Sequence, residues 1–344
     1  MEHRIGIFGC GTIGGGLVSL LDDKRGYLAE KYGFEFRVCF ISSLSRGVLV
    51  NPGGVDLADV RENLRRNGSI LGMSGARRGP VPADELLREM PVDIACDTTP
   101  TNYETGQPSR GVLEASLSSG ANAVTCSKGG VGTDLAGLKA IAAKKGVKIR
   151  FESSVMSGTP LVSLVRGPLA GCEITRAEGI VNGTTNYILT KMEEGADYAS
   201  ALSEAQRLGY AETDPTGDVE GFDAAVKVCI MASEFFGSHV RVPDVERVGI
   251  TGVTSGDVSK ALSEGRRIKL IAGVERDSGR VRCYVQPRAI EESHPLASVR
   301  GAANAISITT DNLGVVTVTG PGAGARETAQ GIIADMLEIA GWAG

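Results

Sequence analysis

Histidine is scarce in this sequence of 344 residues: His3, His239 and His294 are the whole supply, and none stands near a glycine turn. A cysteine nucleophile needs a base beside it, so that chemistry has no partner here. The seven cysteines, an odd number spread from Cys10 to Cys283, show no C-x-x-C or histidine-rich spacing. They read as reduced, mostly buried thiols rather than a disulfide framework or a zinc site. Long apolar runs are missing too: none approaches the ~18 residues of a membrane-spanning helix, and no signal-peptide pattern opens the chain, so a cytoplasmic protein is expected. An excess of basic charge is likewise absent. The net charge of −5 and a pI near 5.5 leave no electrostatic footprint for nucleic acid. With imidazole nearly gone, acid–base chemistry falls to lysines and carboxylates.

What remains is a globular composition, 42% hydrophobic and 22% charged, in a chain long enough for at least two domains. Glycine is plentiful, and its most informative use comes first. Arg4 to Phe8 is a short β run that enters Gly9-Cys10-Gly11-Thr12-Ile13-Gly14, followed by a helical pattern over Gly15 to Leu21. Strand, glycine turn and helix make a dinucleotide fingerprint, with the pyrophosphate at the helix N-terminus. After the next strand, Phe36 to Ile41, NAD-specific proteins usually place a carboxylate for the ribose 2′-hydroxyl. Here Ser42-Ser43-Leu44-Ser45-Arg46 offers none, and Arg46 with serine hydroxyls suits a 2′-phosphate, which favours NADP over NAD; a solvent-facing Arg46 is the competing reading.

Residues 47–82 read as an excursion with a helix over 57–67. Val92 to Asp97 reads as a buried strand whose carboxyl end carries Thr98-Thr99-Pro100-Thr101, where a parallel sheet binds ligands. Asn122 to Thr125 brings Cys126-Ser127-Lys128-Gly129-Gly130 to the same edge, and Lys128 there is either a solvated turn residue or a ligand-facing one. Helices are expected over Ser109–Ser119 and Asp134–Lys145, and the Rossmann alternation lapses at Ser153–Pro160. Beyond it, Thr175 to Val181 runs into a helix through Met192, Ile268–Glu275 and Arg280–Pro287 form a hairpin about Asp277-Ser278-Gly279, and Ala305–Thr310 pairs with Gly314–Val318. A second glycine turn, Gly320 to Gly324, precedes an apolar helix to Ala340. The fold class is α/β: an N-terminal Rossmann-type nucleotide-binding domain, an α+β catalytic and dimerisation domain, and a returning C-terminal helix.

Acidic residues concentrate between Ala205 and Lys227. Val219, Phe222, Val226, Ile230 and Ser233 recur at helical spacing, predicting one helix over 218–236 with an apolar stripe facing a core. Asp223 and Lys227, four residues apart, share a face at the edge of that stripe, where carboxylate and ammonium can meet partly desolvated. Spacing alone favours the reading as an ordinary ion pair worth ~0.2–0.5 kcal/mol. In front, Tyr210, Glu212, Asp214 and Asp218 crowd around Gly209 and Gly217, more carboxylates than a connector needs.

The stretch Ala205-x-x-x-Gly209-Tyr210-Ala211-x-x-Asp214-Pro215-x-x-Asp218-Val219-x-Gly221-x-Asp223-x-x-x-Lys227 resembles the signature of the homoserine dehydrogenases through its whole length. DTTPTNYETGQP from Asp97, NGTTNYI from Asn182 and GPGAGARETA from Gly320 extend the resemblance over nearly the entire chain. It implies NAD(P)H-dependent reduction of L-aspartate 4-semialdehyde to L-homoserine. By the same resemblance, Lys227 is the proton donor to the aldehyde oxygen, Asp223 orients it, and Lys128 is the second catalytic lysine. Glu212 and Asp218 would hold the substrate's amino group, while Tyr210, Gly183 and Thr184 line its site. Gly11, Thr12, Ile13, Gly14, Thr98, Thr99, Ser127, Gly209 and Gly324 fall where the family contacts the dinucleotide, with Gly9 and Pro100 adjoining them. A monovalent cation such as Na+ would rest on the backbone carbonyls of Glu152, Val155, Ser157 and Thr159. Two positions depart from the family pattern: Ser127 replaces an asparagine, and Val155-Met156-Ser157-Gly158 replaces VGAG. The resemblance further implies a homodimer and a division into 1–135 with 320–344 (nucleotide), 136–155 with 300–319 (dimerisation) and 156–299 (catalysis), without a C-terminal regulatory domain. Another amino-acid dehydrogenase on the same fold, and a non-enzymatic dinucleotide sensor, are the alternatives; the sensor has no use for two lysines beside a carboxylate cluster.

Overall fold

The computed structural model describes residues 2–277 and 279–342, which divide into two compact units. One runs to Gly158 and takes up the chain again from Gly324, and the other is Thr159–Ala323.

In the first unit β1 (Glu2–Phe8), α1 (Thr12–Tyr32), β2 (Glu35–Ser43), β3 (Gly47–Val50), α2 (Leu57–Asn67), β4 (Ala76–Arg77) and α3 (Ala83–Glu89) are followed by β5 (Ile94–Asp97) and α4 (Ser109–Ser119). Then come β6 (Asn122–Thr125), α5 (Lys128–Lys145), β7 (Ile149–Arg150) and the short α6 (Ser153–Met156). The sheet order is β4-β3-β2-β1-β5-β6-β7. β2, β1, β5, β6 and β7 are parallel, and β5 is buried at every residue, as expected when both faces of a sheet are covered. Because the chain moves outward in opposite directions from β1 to β2 and from β1 to β5, the carboxyl ends of β1 and β5 mark the switch point, where such sheets bind ligands. The excursion after β2 is in part sheet: β3 and β4 add antiparallel strands, so Leu44–Arg46 is the turn of a hairpin. α5 begins at Lys128, well before the expected Asp134, where the backbone kinks at φ −155° and ψ 56°. Gly129, Gly130 and Gly132 have poor helix propensity, and burial of this segment against α4 overrides it.

The second unit comprises α7 (Val162–Arg166), β8 (Ile174–Ile180), α8 (Gly183–Glu193), α9 (Tyr198–Arg207), α10 (Thr216–Val219), α11 (Phe222–Phe236), β9 (Glu246–Arg247), α12 (Ser255–Ser263), β10 (Arg266–Asp277), β11 (Arg280–Glu291), β12 (Ala303–Thr310) and β13 (Gly314–Pro321). Its sheet has the order β13-β12-β8-β10-β11-β9 and is antiparallel apart from the β9–β11 pair. The expected hairpin is β10–β11, and Ser278 in its turn lies outside the described residues. The predicted helix over 218–236 is two helices. Gly221 between them adopts φ +79°, which an uninterrupted α-helix cannot contain. α11 packs on β10 and β11 and is buried nearly all round, so Asp223 and Lys227 lie inside the unit, 6% exposed each, rather than at the margin of a stripe. The last helix, α13 (Ala325–Ile339), packs on α1 in the first unit, where Ala329, Ile332, Ile333 and Met336 join a core with Leu17, Val18 and Leu21.

Candidate active site

At the switch point of the first unit, Gly9 adopts φ +96° and Thr98 donates from its N–H to Phe8 O at 2.7 Å, tying the ends of β1 and β5 together. A Cβ on Gly14 would stand 2.3 Å from Gly9 O, whereas one on Gly11 would meet nothing within 4 Å. The turn is therefore tight where helix meets strand and open where a pyrophosphate approaches. The N-terminus of α1 has no side-chain cap and no acidic residue in its first turn, so its free N–H groups and positive dipole end suit an anion. Thr12, Ile13 and Gly14 form that first turn. Burial pushes the Cys10 thiol up to about 11, and the positive charge of Arg46 opposes this.

The neighbouring loops are organised by Asp97, 1% exposed. Its Oδ1 accepts from Thr99 N at 3.0 Å and from Thr99 Oγ1, and its Oδ2 accepts from Ser109 Oγ and from Thr125 Oγ1 at 2.8 Å. Thr125 Oγ1 in turn accepts from Ser127 N at 2.9 Å, so one carboxylate sets the loops that carry Thr98, Thr99, Pro100, Ser127 and Lys128. Lys128 is half-buried in the first turn of α5, its N–H donating to Thr101 Oγ1 at 3.3 Å.

The second unit assembles the charged cluster. Lys227 Nζ donates to Asp223 Oδ2 at 2.7 Å and to the carbonyl of Val181 at the end of β8. Asn182, the next residue, caps α8 and donates from Nδ2 to Asp218 Oδ1 at 2.7 Å and to Asp223 Oδ2 at 3.0 Å. Spacing marked both carboxylates and the lysine but gave Asn182 no role; an asparagine directly before a helix signals a cap, and nothing local shows that its other end reaches two aspartates. Asp218 lies inside α10, and Gly221 rather than Asp218 occupies the N-cap position of α11. Burial, and then the Asp223 charge, push the Asp218 carboxyl above the ordinary aspartate range. Thr184 Oγ1 donates to Tyr210 O, holding the α8 start against the loop that follows α9; the Tyr210 ring lies 4.9 Å from that of Tyr187. Gly183 opens α8 beside them. Glu212 is exposed on the same loop and makes no hydrogen bond to Asp218, Asn182 or Lys227. Gly209, at φ +78°, follows α9 in this unit, and Gly324 precedes α13 in the first.

Glu152, Val155 and Ser157 are buried in and around α6, and Ser157 is the one described non-glycine residue with positive φ, +54°. Its hydroxyl is 2.9 Å from Thr328 Oγ1. Thr159, first residue of the second unit, donates from Oγ1 to Pro321 O at 3.1 Å. Among the described residues no cluster of three histidine, cysteine, aspartate or glutamate side chains could hold a metal ion.

A buried lysine paired with a carboxylate, in a chain whose first helix opens from an uncapped glycine turn, is chemistry compatible with an NAD(P)-dependent oxidoreductase. Known proteins show which one. The sequence profile of homoserine dehydrogenase matches residues 160–337, and that of its NAD-binding domain matches residues 9–152. The chain belongs to the homoserine dehydrogenase family. It is 38% identical to an NAD(+)-dependent homoserine dehydrogenase from Pseudomonas canavaninivorans over 98% of this chain and 96% of that one. A protein of known structure from Archaeoglobus fulgidus, ascribed the same activity, superimposes with a TM-score of 0.87 at 36% identity, covering 99% of this chain and 100% of the other. A hyperthermophilic archaeal homoserine dehydrogenase in complex with NADPH gives 0.85 at 31% identity, over 99% and 98% of the two chains.

Proposed function

We propose that the protein catalyses the reversible reduction of L-aspartate 4-semialdehyde to L-homoserine, with NADPH favoured, in the pathway toward threonine and methionine. The buried Asp223–Lys227 pair with Asp218 alongside carries this reading. Neither a different amino-acid dehydrogenase nor a dinucleotide sensor accounts for it together with the family match.

The residues fit a dinucleotide: the α1 N-terminus with the open turn at Gly11 would hold the pyrophosphate, and the loops at Thr98–Pro100 and Ser127–Lys128 would flank the nicotinamide end. When bound, the cofactor supplies the hydride. The substrate's ammonium is taken by Asp218, with Glu212 at the loop's outer edge, which fixes the amino-acid end and leaves the aldehyde to be oriented. Tyr210, Gly183 and Thr184 line that side, and Gly209 shapes the entrance. Negative charge develops on the aldehyde oxygen as it is reduced, and the Lys227 ammonium stabilises it and donates the proton. Asp223 keeps that ammonium aimed, and Lys128 supplies a second cation. Supporting NADP is Arg46 in the turn after β2, where residues 42–46 carry no carboxylate; the NAD(+)-dependent relative supports NAD as the second reading.

Oxidation of NADPH by the purified protein only when aspartate semialdehyde is added tests the activity. Lys227→Ala is expected to lose most of kcat, by ~100-fold or more, while NADPH still binds; an active variant refutes the assignment. Arg46→Ala is expected to lower kcat/KM for NADPH by about tenfold and leave NADH unchanged. The buried loop of Glu152, Val155, Ser157 and Thr159, strained at Ser157, supports a monovalent cation held by carbonyls. A homodimer in the cytoplasm, formed through residues 303–319 and 140–155, completes the reading.

A further inference from the structure

We propose that Asn182 is the positioning residue of this site: its amide nitrogen bridges Asp218 and Asp223 at a fixed separation, assigning one carboxylate to Lys227 and reserving the other for the substrate's ammonium. The inference rests on the proposed function for the identity of the ammonium, but the geometry behind it is independent of that. Asn182 is 5% exposed, and every polar group of its amide is engaged. Oδ1 accepts from Thr185 N at 2.9 Å and from Thr185 Oγ1 at 3.0 Å, capping α8. Nδ2 spends its two hydrogens on Asp218 and Asp223. The amide cannot turn over, because a reversed group would set its oxygen against two carboxylates and its NH2 against the Thr185 N–H. A cap at one end thus makes the other end a rigid two-pronged donor.

The two aspartates then differ in what is left to them. Asp223 is buried, and the same oxygen that accepts from Asn182 also accepts from Lys227. Asp218 is only partly buried, and the Lys227 ammonium is hydrogen-bonded to Asp223 rather than to it, so it is the carboxylate open to a cation. Without the bridge, the like charges of Asp218 and Asp223 repel, and both compete for Lys227. The groups facing Asp218 are Asp223 and Lys227 from α11, Asn182 before α8 and Thr184 in its first turn. Removing the Asn182 donor leaves repulsion by Asp223 less opposed, so the Asp218 carboxylate should bind a proton more readily and a substrate ammonium less well.

Two substitutions separate this role from a structural one. Asn182→Ser and Asn182→Asp both keep an oxygen able to cap α8, so the fold and NADPH affinity should persist. Neither can donate to both aspartates at once, and the second, when ionised, places a third carboxylate among them. Titration of the Asp218 carboxyl by carbon-13 NMR is expected to move to higher pH in both variants, with proton affinity up by ~10-fold or more. KM for homoserine in the oxidation direction should rise by about tenfold or more while kcat at saturation changes far less. An unmoved Asp218 titration overturns the inference, as does a shifted titration with unchanged KM. If the wild-type protein turns over neither aspartate semialdehyde nor homoserine, the proposed function fails, and the carboxyl titration still decides the role of Asn182.

Discussion

Asp218 is a carboxylate placed where ionisation works against folding. Burial and the Asp223 charge raise its pKa against the opposing pull of Asn182, Lys227 and Thr184, so the folded chain binds this proton more readily than the unfolded one does. Stability from this group is present at low pH and lost as pH rises from the ordinary aspartate value, about 3.9, through the raised one. Asp218→Asn removes the loss. Its Tm by calorimetry at pH 7 is expected to exceed that of the wild type, with the gap closing as pH falls toward about 4, while affinity for homoserine drops; a variant less stable at pH 7 would show that hydrogen bonding by the carboxylate outweighs its burial. At this scale the sequence is a good guide to charged residues and a poor one to their connectors. Asp218, Asp223 and Lys227 are legible because charges inside an apolar pattern are costly and need a reason. Asn182 is hidden because its amide serves a local cap and a distant pair of carboxylates at once, and only the cap has a local pattern.

The junction of α10 and α11 is the element on which the cluster depends. Gly221 takes φ +79°, and a Cβ there would stand 3.0 Å from Val285 Cγ1 on β11, so both backbone and packing require glycine. Gly209 provides the comparison, with φ +78° and nothing within 4 Å of a built Cβ. Gly209→Ala should cost only the backbone penalty of ~1 kcal/mol, and Gly221→Ala more, about 2 kcal/mol or above, by urea denaturation. The second substitution should also raise KM for homoserine by shifting Asp218 relative to α11; equal costs at the two sites would mean that Val285 yields freely. Helical spacing runs smoothly through Val219, Phe222 and Val226, which is why the sequence reads as one helix. The glycine inside that run was the available sign of a break. α5 fails in the opposite sense, since glycines that argue for a loop at 129–132 are drawn into a helix by burial against α4. β1, α2, α4, β6 and the β10–β11 hairpin are recovered closely because each has its own punctuation, such as the Asp56 cap of α2 or the left-handed Gly120 after α4.

For the whole molecule, the first compact unit runs to Gly158, within the stretch Ser153–Pro160 where the strand–helix alternation lapses. The first unit takes up the chain again at Gly324, at the end of the glycine turn that begins at Gly320. An assembly of two copies leaves a different kind of trace. β13 ends its sheet, and beside it Leu313 and Val315 are 56% and 55% exposed. An edge strand with open backbone groups and exposed apolar side chains invites pairing unless something covers it, and no charge or proline guards this one between Gly314 and Gly320. A second copy of the chain, the partner in the proposed homodimer, is the occupant to be tested. Light scattering on the purified protein is therefore expected to give about twice the 35.8 kDa of one chain. Leu313→Lys combined with Val315→Lys sets like charges against each other across a symmetric contact, and should shift the mass toward a single chain at micromolar concentration without lowering the affinity for NADPH, whose proposed site lies in the first unit. A wild-type mass of one chain at every concentration removes the dimer, and a doubly substituted protein that remains dimeric moves the contact away from β13.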